Sequence, residues 1–137
     1  MDDPIKTNAI TVRTGRMVFE VEIENPAYRN TTPKLAAFVS GQFPDLPHHA
    51  CVNDKGHTFG DVIESTSVPH LLEHLIISNQ VRNHVMGDLL FMGTTEWVNE
   101  EAGIACIEIG FKDDLAALRA FNEATLFLNM AVLTCLL

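Results

Sequence analysis

The chain has 137 residues, enough for one domain with a real core and too few for two ordinary ones. Its 47% hydrophobic content is too high for a disordered segment. A formal net charge of −9, from 18 acidic and 9 basic side chains, argues against nucleic acid or an anionic membrane as partner, because the field repels phosphates; a cationic substrate suits it better.

The first stretch, "MDDPIKTNAI", puts two acids and a proline where a secretory signal needs basic and then apolar residues, so no such signal is expected. In "AITVRTGRMVFEVEIE", Phe19, Val21 and Ile23 interleave with Val18, Glu20, Glu22 and Glu24. With Thr14-Gly15 as a turn, this period of two predicts a β-hairpin with one solvated face. "TTPKLAAFVSGQF" then reads as a helix, with Thr32 as N-cap and Pro33 in the first turn. "PDLPHHACVNDKGHTFG" is dense in Pro, Gly, Asp and Asn and predicts a loop with room for a short strand.

Ser67 is placed to cap a second helix, in which the early Pro69 lacks only an N–H that a first turn does not need. That helix runs through "HLLEHLIISNQVRNHVM". "TTEWVNEEAGIACIEIGF" alternates on both sides of an Ala-Gly bend, a second hairpin. Asp113 and Asp114 open the last helix, where acids complement the helix dipole. The order predicts a single α+β domain over residues 1–137: an antiparallel sheet built from hairpins, with helices packed on one face.

The last helix contains "LAALRAFNEATLFLNMAVLTCLL", long and apolar enough to raise the question of a membrane. Arg119, Asn122, Glu123 and Asn129 lie within it and are costly in lipid, so a core or interface helix is expected. Leu126, Phe127, Met130, Val132, Leu133, Leu136 and Leu137 cover more than one helical face, which predicts a homodimer using this helix or a sheet edge. Cys51, Cys106 and Cys135 are scattered and odd in number, so they form no disulfide framework and fit a reducing cytoplasm, and Cys51 and Cys106 read as buried thiols rather than nucleophiles.

The chemistry concentrates in "VPHLLEH". On a helix His70 and His74 lie one turn apart on one face, a spacing that lets both imidazoles bind one ion. Zinc (Zn2+) favours such ligands and keeps a position open in catalytic sites. Glu73 sits beside His74 as in the H-x-x-E-H order of the inverzincin metallopeptidases, where it exchanges a proton with water that the ion activates and passes it to the leaving amine. Leu71, Leu72, Leu75 and Ile76 wrap the helix, so the histidines are expected to be partly buried, where an unpaired imidazole is unfavourable.

Three stretches carry a family resemblance: "TPKLAAFVSGQFPDLPHHAC", "TFGDVIESTSVPHLLEHLIISNQV" and "EWVNEEAGIAC". Thr32-Pro33, Phe43-Pro44-Asp45-Leu46, His49 and Cys51, then His70, Glu73, His74 and Gln80, then Trp97-Val98 with Glu100, Ala102 and Gly103, follow one another as in the amino-terminal domain of cyanophycin synthetases, which the chain resembles over about residues 32 to 112. The resemblance implies one unit of the pitrilysin/insulinase fold, units that usually work in pairs. It also implies endo-acting hydrolysis, linked in that family to the arginine–aspartate polymer and the making of primers. "LIISNQ" departs from the family's A-x-E-L-Q, the Gly-rich stretch after it is missing, and the resemblance does not extend to the ATP-grasp and Mur-ligase-like parts, so polymer synthesis is not implied.

The resemblance makes Glu100 the first choice for a third metal ligand, with Glu64, Cys51 and His49 as alternatives. The expected protein is thus a zinc-dependent hydrolase with Glu73 as catalytic group and His70, His74 and Glu100 as ligands, cutting a peptide or isopeptide bond in a polypeptide substrate. Two rivals stand beside it. One is a non-catalytic binding or assembly module. The other is thioether cleavage as in the quorum-signal synthase, which uses the same motif with a cysteine ligand. His48 and His49 read as solvated loop residues in preference to substrate-contacting ones, His57 and His84 as surface residues, Glu20, Glu22 and Glu24 as a solvated strand face, and Phe59 and Trp97 as core.

Overall fold

The computed structural model describes residues 2–51, 53–82 and 92–136. The first hairpin consists of β1 (Lys6–Arg13) and β2 (Arg16–Glu22), turning at Gly15, whose φ of 71° suits a residue without Cβ. The second consists of β3 (Gly93–Asn99) and β4 (Ile104–Gly110), turning at Gly103 with φ of 78°. The hairpins join through β2 and β4, giving a four-stranded antiparallel sheet in the order β1-β2-β4-β3. Its register sets Met17, Phe19 and Val21 against Ile109, Ile107 and Ala105, and all six are buried on one face. Glu20, Cys106 and Glu108 alternate onto the other, more exposed face. A slip of one residue would exchange the two sets, so the burial pattern fixes the pairing.

Among the described residues three α-helices complete the α+β fold. In α1 (Pro33–Gln42) the Thr32 hydroxyl accepts the Leu35 N–H at 3.2 Å, the expected cap. The loop after it contains single 3-10 turns at Leu46–His48 and Phe59–Asp61, and among its described residues the strand content is one bridge, Ala50 with Thr58. In α2 (Val68–Arg82) Ser67 Oγ accepts the His70 N–H at 3.2 Å. The predicted extension of α2 to Met86, and His84 within it, lie outside the described residues. In α3 (Asp114–Cys135) Asp113 caps the Leu115 and Ala116 N–H groups.

The packing accounts for most of the apolar length of α3. Phe121 stacks on Phe19 with ring centroids 3.9 Å apart, and Phe127 meets both Phe38 and Phe43 from the α1 side. Val132 is buried, and Leu133 and Leu136 are half-buried. Of the residues expected to face a second copy, Leu126 and Met130 stay exposed, at 74% and 46%, and Leu137 lies outside the described residues. The helix therefore packs on α1 and α2 as well as the sheet, which uses more of its circumference than a sheet alone. Asn129, polar within the apolar run, holds the Ile5 backbone from both sides: Ile5 N–H donates to its Oδ1 at 2.8 Å, and its Nδ2 donates to Ile5 O at 3.3 Å. Among the described residues no helix is long and apolar enough to cross a membrane.

Candidate metal centre

Helix α2 is buried nearly all round, wedged between α3 and the β3–β4 hairpin. Its motif residues therefore leave solvent together: His74 is 2% exposed, Glu73 5%, and His70 is half-buried. From the preceding loop Cys51 joins them, held by the Ala50–Thr58 bridge and by its own N–H donating to His57 O at 3.0 Å. One donor atom each from Cys51, His70 and His74 lies within 4.8 Å of the other two. Thiolate and two imidazoles suit zinc and similar borderline-soft cations.

Each imidazole is oriented through one nitrogen. His70 Nδ1 is 2.9 Å from Thr66 Oγ1, which leaves Nε2 facing the Cys51 thiol at 3.6 Å. His74 Nδ1 is 3.0 Å from His49 Nδ1, while its Nε2 is buried and finds no hydrogen-bond partner among the described residues. A buried polar atom without a partner is costly, and an ion is a partner that would satisfy it. The donor set therefore fits a metal. Phe59 forms the wall behind both rings, stacked on His74 at 4.0 Å and edge-on to His70 at 4.9 Å.

Glu73 reaches the same space from its own direction. Thr95 on β3 donates to its Oε1 at 2.5 Å, and its Oε2 lies 3.8 Å from His74 Nε2. That contact is not an ion pair at neutral pH. Burial, with the neighbouring His70 and His49, lowers the His74 pKa to about 3, so the ring is neutral. Burial also lowers His70. Burial raises Glu73, and the Thr95 hydrogen bond opposes this without cancelling it. A carboxylate pushed upward in a cleft is suited to taking and returning a proton near neutral pH. The cavity in front of these groups holds about 610 Å³ and is lined by Cys51, His70, Glu73, His74, Ile77 and Thr95, among others.

The structure thus brings together His70, Glu73, His74 and one of the alternative donors, Cys51. It places Glu100 elsewhere. Glu100 stands exposed in the β3–β4 turn, where its carbonyl accepts from Arg29 Nη1 at 3.2 Å, and it is not in the donor cluster. The donor cluster thus contains Cys51 and not Glu100, whose turn is tied to the far end of β2 by the same Arg29, which also donates to Ile23 O and Glu24 O. Glu64 is also exposed and apart from the cluster, and His49 supports His74 rather than joining the donors. His48 and His57 are exposed as expected, His49 is instead half-buried between Asp45 and His74, and Phe59 and Trp97 pack in or against the core.

Several supporting residues were not visible in the motif. Thr95 and Gly93 on β3, Thr66 before α2, and Asp45 with Ser78 behind His49 reach the site only through the tertiary fold. Only Thr66, four residues before His70, carried a usable signal in the sequence, a hydroxyl at helical spacing from a histidine. No family model and no curated protein matches the chain.

Proposed function

We propose that the chain is a zinc-dependent hydrolase of the pitrilysin-like kind, cutting a peptide or isopeptide bond, with Cys51, His70 and His74 as the metal ligands. The observation that carries this reading is the convergence of those three donors beside a buried carboxylate whose pKa is raised. The resemblance to the cyanophycin synthetase domain supports the same assignment for His70, Glu73 and His74. A bound zinc ion would supply Lewis acidity to the scissile carbonyl and make water a stronger nucleophile near neutral pH.

The chain's own groups do the proton work. Thr95 holds Glu73 Oε1, so Oε2 is the oxygen available to a water in the cavity. Glu73 takes the proton from that water as its oxygen attacks the carbonyl carbon. It returns the proton to the amide nitrogen as the carbon–nitrogen bond breaks, leaving a carboxylic acid and an amine. Cationic peptides are the substrate class in keeping with the net charge of −9, and the cytoplasm is the compartment in keeping with three unpaired thiols.

The purified chain should hold about one zinc ion, lost in His70→Ala and His74→Ala. Glu73→Gln should keep the ion and lower turnover of a basic peptide about 10²–10⁴-fold. Zinc lost from Glu73→Gln would make Glu73 a ligand instead of a base. A wild-type chain that holds no zinc would favour the non-catalytic module. The Cys51 donor favours one other chemistry, thioether cleavage, and release of a free thiol from a thioether with no action on peptides would establish that instead.

A further inference from the structure

We infer that Asp45 and His49 are positioning residues that fix the tautomer of His74, and so decide which of its nitrogens faces the site with a free lone pair. The inference rests on the metal-centre reading only for its consequence in metal affinity. The tautomer follows from the hydrogen bonds of an ionised Asp45 and a neutral His49.

The protons can be placed one at a time. Asp45 Oδ2 lies 2.7 Å from Ser78 Oγ, which donates to it, and 2.9 Å from His49 Nε2. Burial pushes the Asp45 carboxyl up, but hydrogen bonds from Ser78 and His49 outweigh it and keep the group below the usual carboxylate range. An ionised carboxylate only accepts, so His49 Nε2 must carry a hydrogen. In a neutral His49, Nδ1 is then bare. His49 Nδ1 and His74 Nδ1 stand 3.0 Å apart, a distance at which two lone pairs repel and two N–H groups clash, so one proton lies between them. With His49 neutral, it belongs to His74. His74 Nδ1–H donates to His49, and the nitrogen left bare is Nε2, the buried atom with no partner.

The chain of contacts is Ser78, Asp45, His49, His74, and with Asp45 ionised and His49 neutral each link runs one way. Phe59, lying within 16° of parallel to the His74 ring, opposes rotation of that ring out of plane. Thr66 Oγ1 stands at His70 Nδ1 as His49 stands at His74 Nδ1. The difference is that Thr66 can rotate its hydroxyl to suit either tautomer, whereas the Asp45–His49 pair cannot. Orientation of ligating histidines by such partners commonly changes metal affinity about 10- to 100-fold.

The test uses the full chain labelled with nitrogen-15, without metal, and then titrated with cobalt(II) against a chelator. Two-bond proton–nitrogen spectra should show His74 as the Nδ1–H tautomer. His49→Phe should give a mixed or Nε2–H tautomer and weaken cobalt binding about 10- to 100-fold. His49→Asn, whose Oδ1 stands near the place of Nδ1, should recover part of both. Should His49→Phe fail to fold by circular dichroism, Asp45→Ala, on a half-exposed loop residue, is expected to move both readouts in the same direction. An Nε2–H tautomer in the wild type, or unchanged tautomer and affinity in a folded variant, overturns the inference. An Nδ1–H tautomer in a wild type that binds no cobalt supports the positioning role and counts against the metal reading alone.

Discussion

Gly93 stands where any side chain would press on Glu73. A Cβ at this position would lie 2.9 Å from Glu73 Cγ and 2.8 Å from Ile109 Cδ1, closer than real Cβ contacts come. The strand can approach α2 this closely only because the residue has no side chain, and the close approach is what brings Thr95, two residues on along β3, within reach of Glu73 Oε1.

Gly93→Ala should therefore separate positioning from ligation. The added methyl overpacks the site and is expected to cost about 1–3 kcal/mol of stability. It moves Glu73 without touching Cys51, His70 or His74. Zinc content should stay near one per chain while turnover falls by more than about tenfold. Full turnover in a folded Gly93→Ala protein would mean that Glu73 has more freedom than its packing implies.

Cys51 and Glu100 give opposite expectations for the third ligand. Cys51→Ala removes a donor within 4.8 Å of both imidazole donors and should abolish tight zinc binding. Glu100→Ala changes an exposed turn side chain whose backbone carbonyl, not its carboxylate, makes the visible contact, and should alter affinity by less than about twofold. Calorimetric titration of the two variants decides between them. A large loss in Glu100→Ala would restore the assignment suggested by the family resemblance.

Periodicity and punctuation were enough to find the elements. Thr32, Ser67 and Asp113 cap the helices for which their positions marked them, and Thr14-Gly15 turns the first hairpin. The i, i+4 spacing likewise placed His70 and His74 on one face, because helical geometry is local. The third donor was harder. Cys51 and His70 are 19 residues apart, and nothing local says that the loop folds back over α2, whereas Glu100 fell in a motif. The apolar excess of α3 was legible, but its use was not: a helix packed on α1 as well as a sheet needs a wider stripe, and periodicity cannot count its neighbours.

Self-association is the expectation most altered by that packing. Exposed on α3 among the described residues are Leu115 near its start and, four residues apart on one face, Leu126 and Met130. A homodimer through this face should sediment at about twice the 15.2 kDa chain mass at micromolar concentration, and Leu126→Glu should return it to the monomer. A wild type that sediments as a monomer would leave these two residues as isolated surface apolar groups, which are common.

The buried histidines make stability depend on pH in a direction that can be worked out. His74 has an ordinary value of 6.5 when unfolded and about 3 when folded, and His70 is shifted the same way by burial. Below 6.5 the unfolded chain takes up protons that the folded chain refuses, so the stability these groups contribute is present above 6.5 and is lost as pH falls towards 3. Within that window each such proton removes up to about 1.4 kcal/mol per pH unit. Glu73 acts in the opposite sense, since its raised folded value makes protonation favour the folded chain, but it is one group against two. The metal-free wild type should therefore melt at progressively lower temperature from pH 7 to pH 4.5. His74→Leu, which replaces a buried neutral ring by an apolar side chain, should show a shallower decline over the same range. Parallel declines in the two proteins would show that His74 takes up its proton in the folded state as readily as in the unfolded one, and that the site is wetter than its 2% exposure implies.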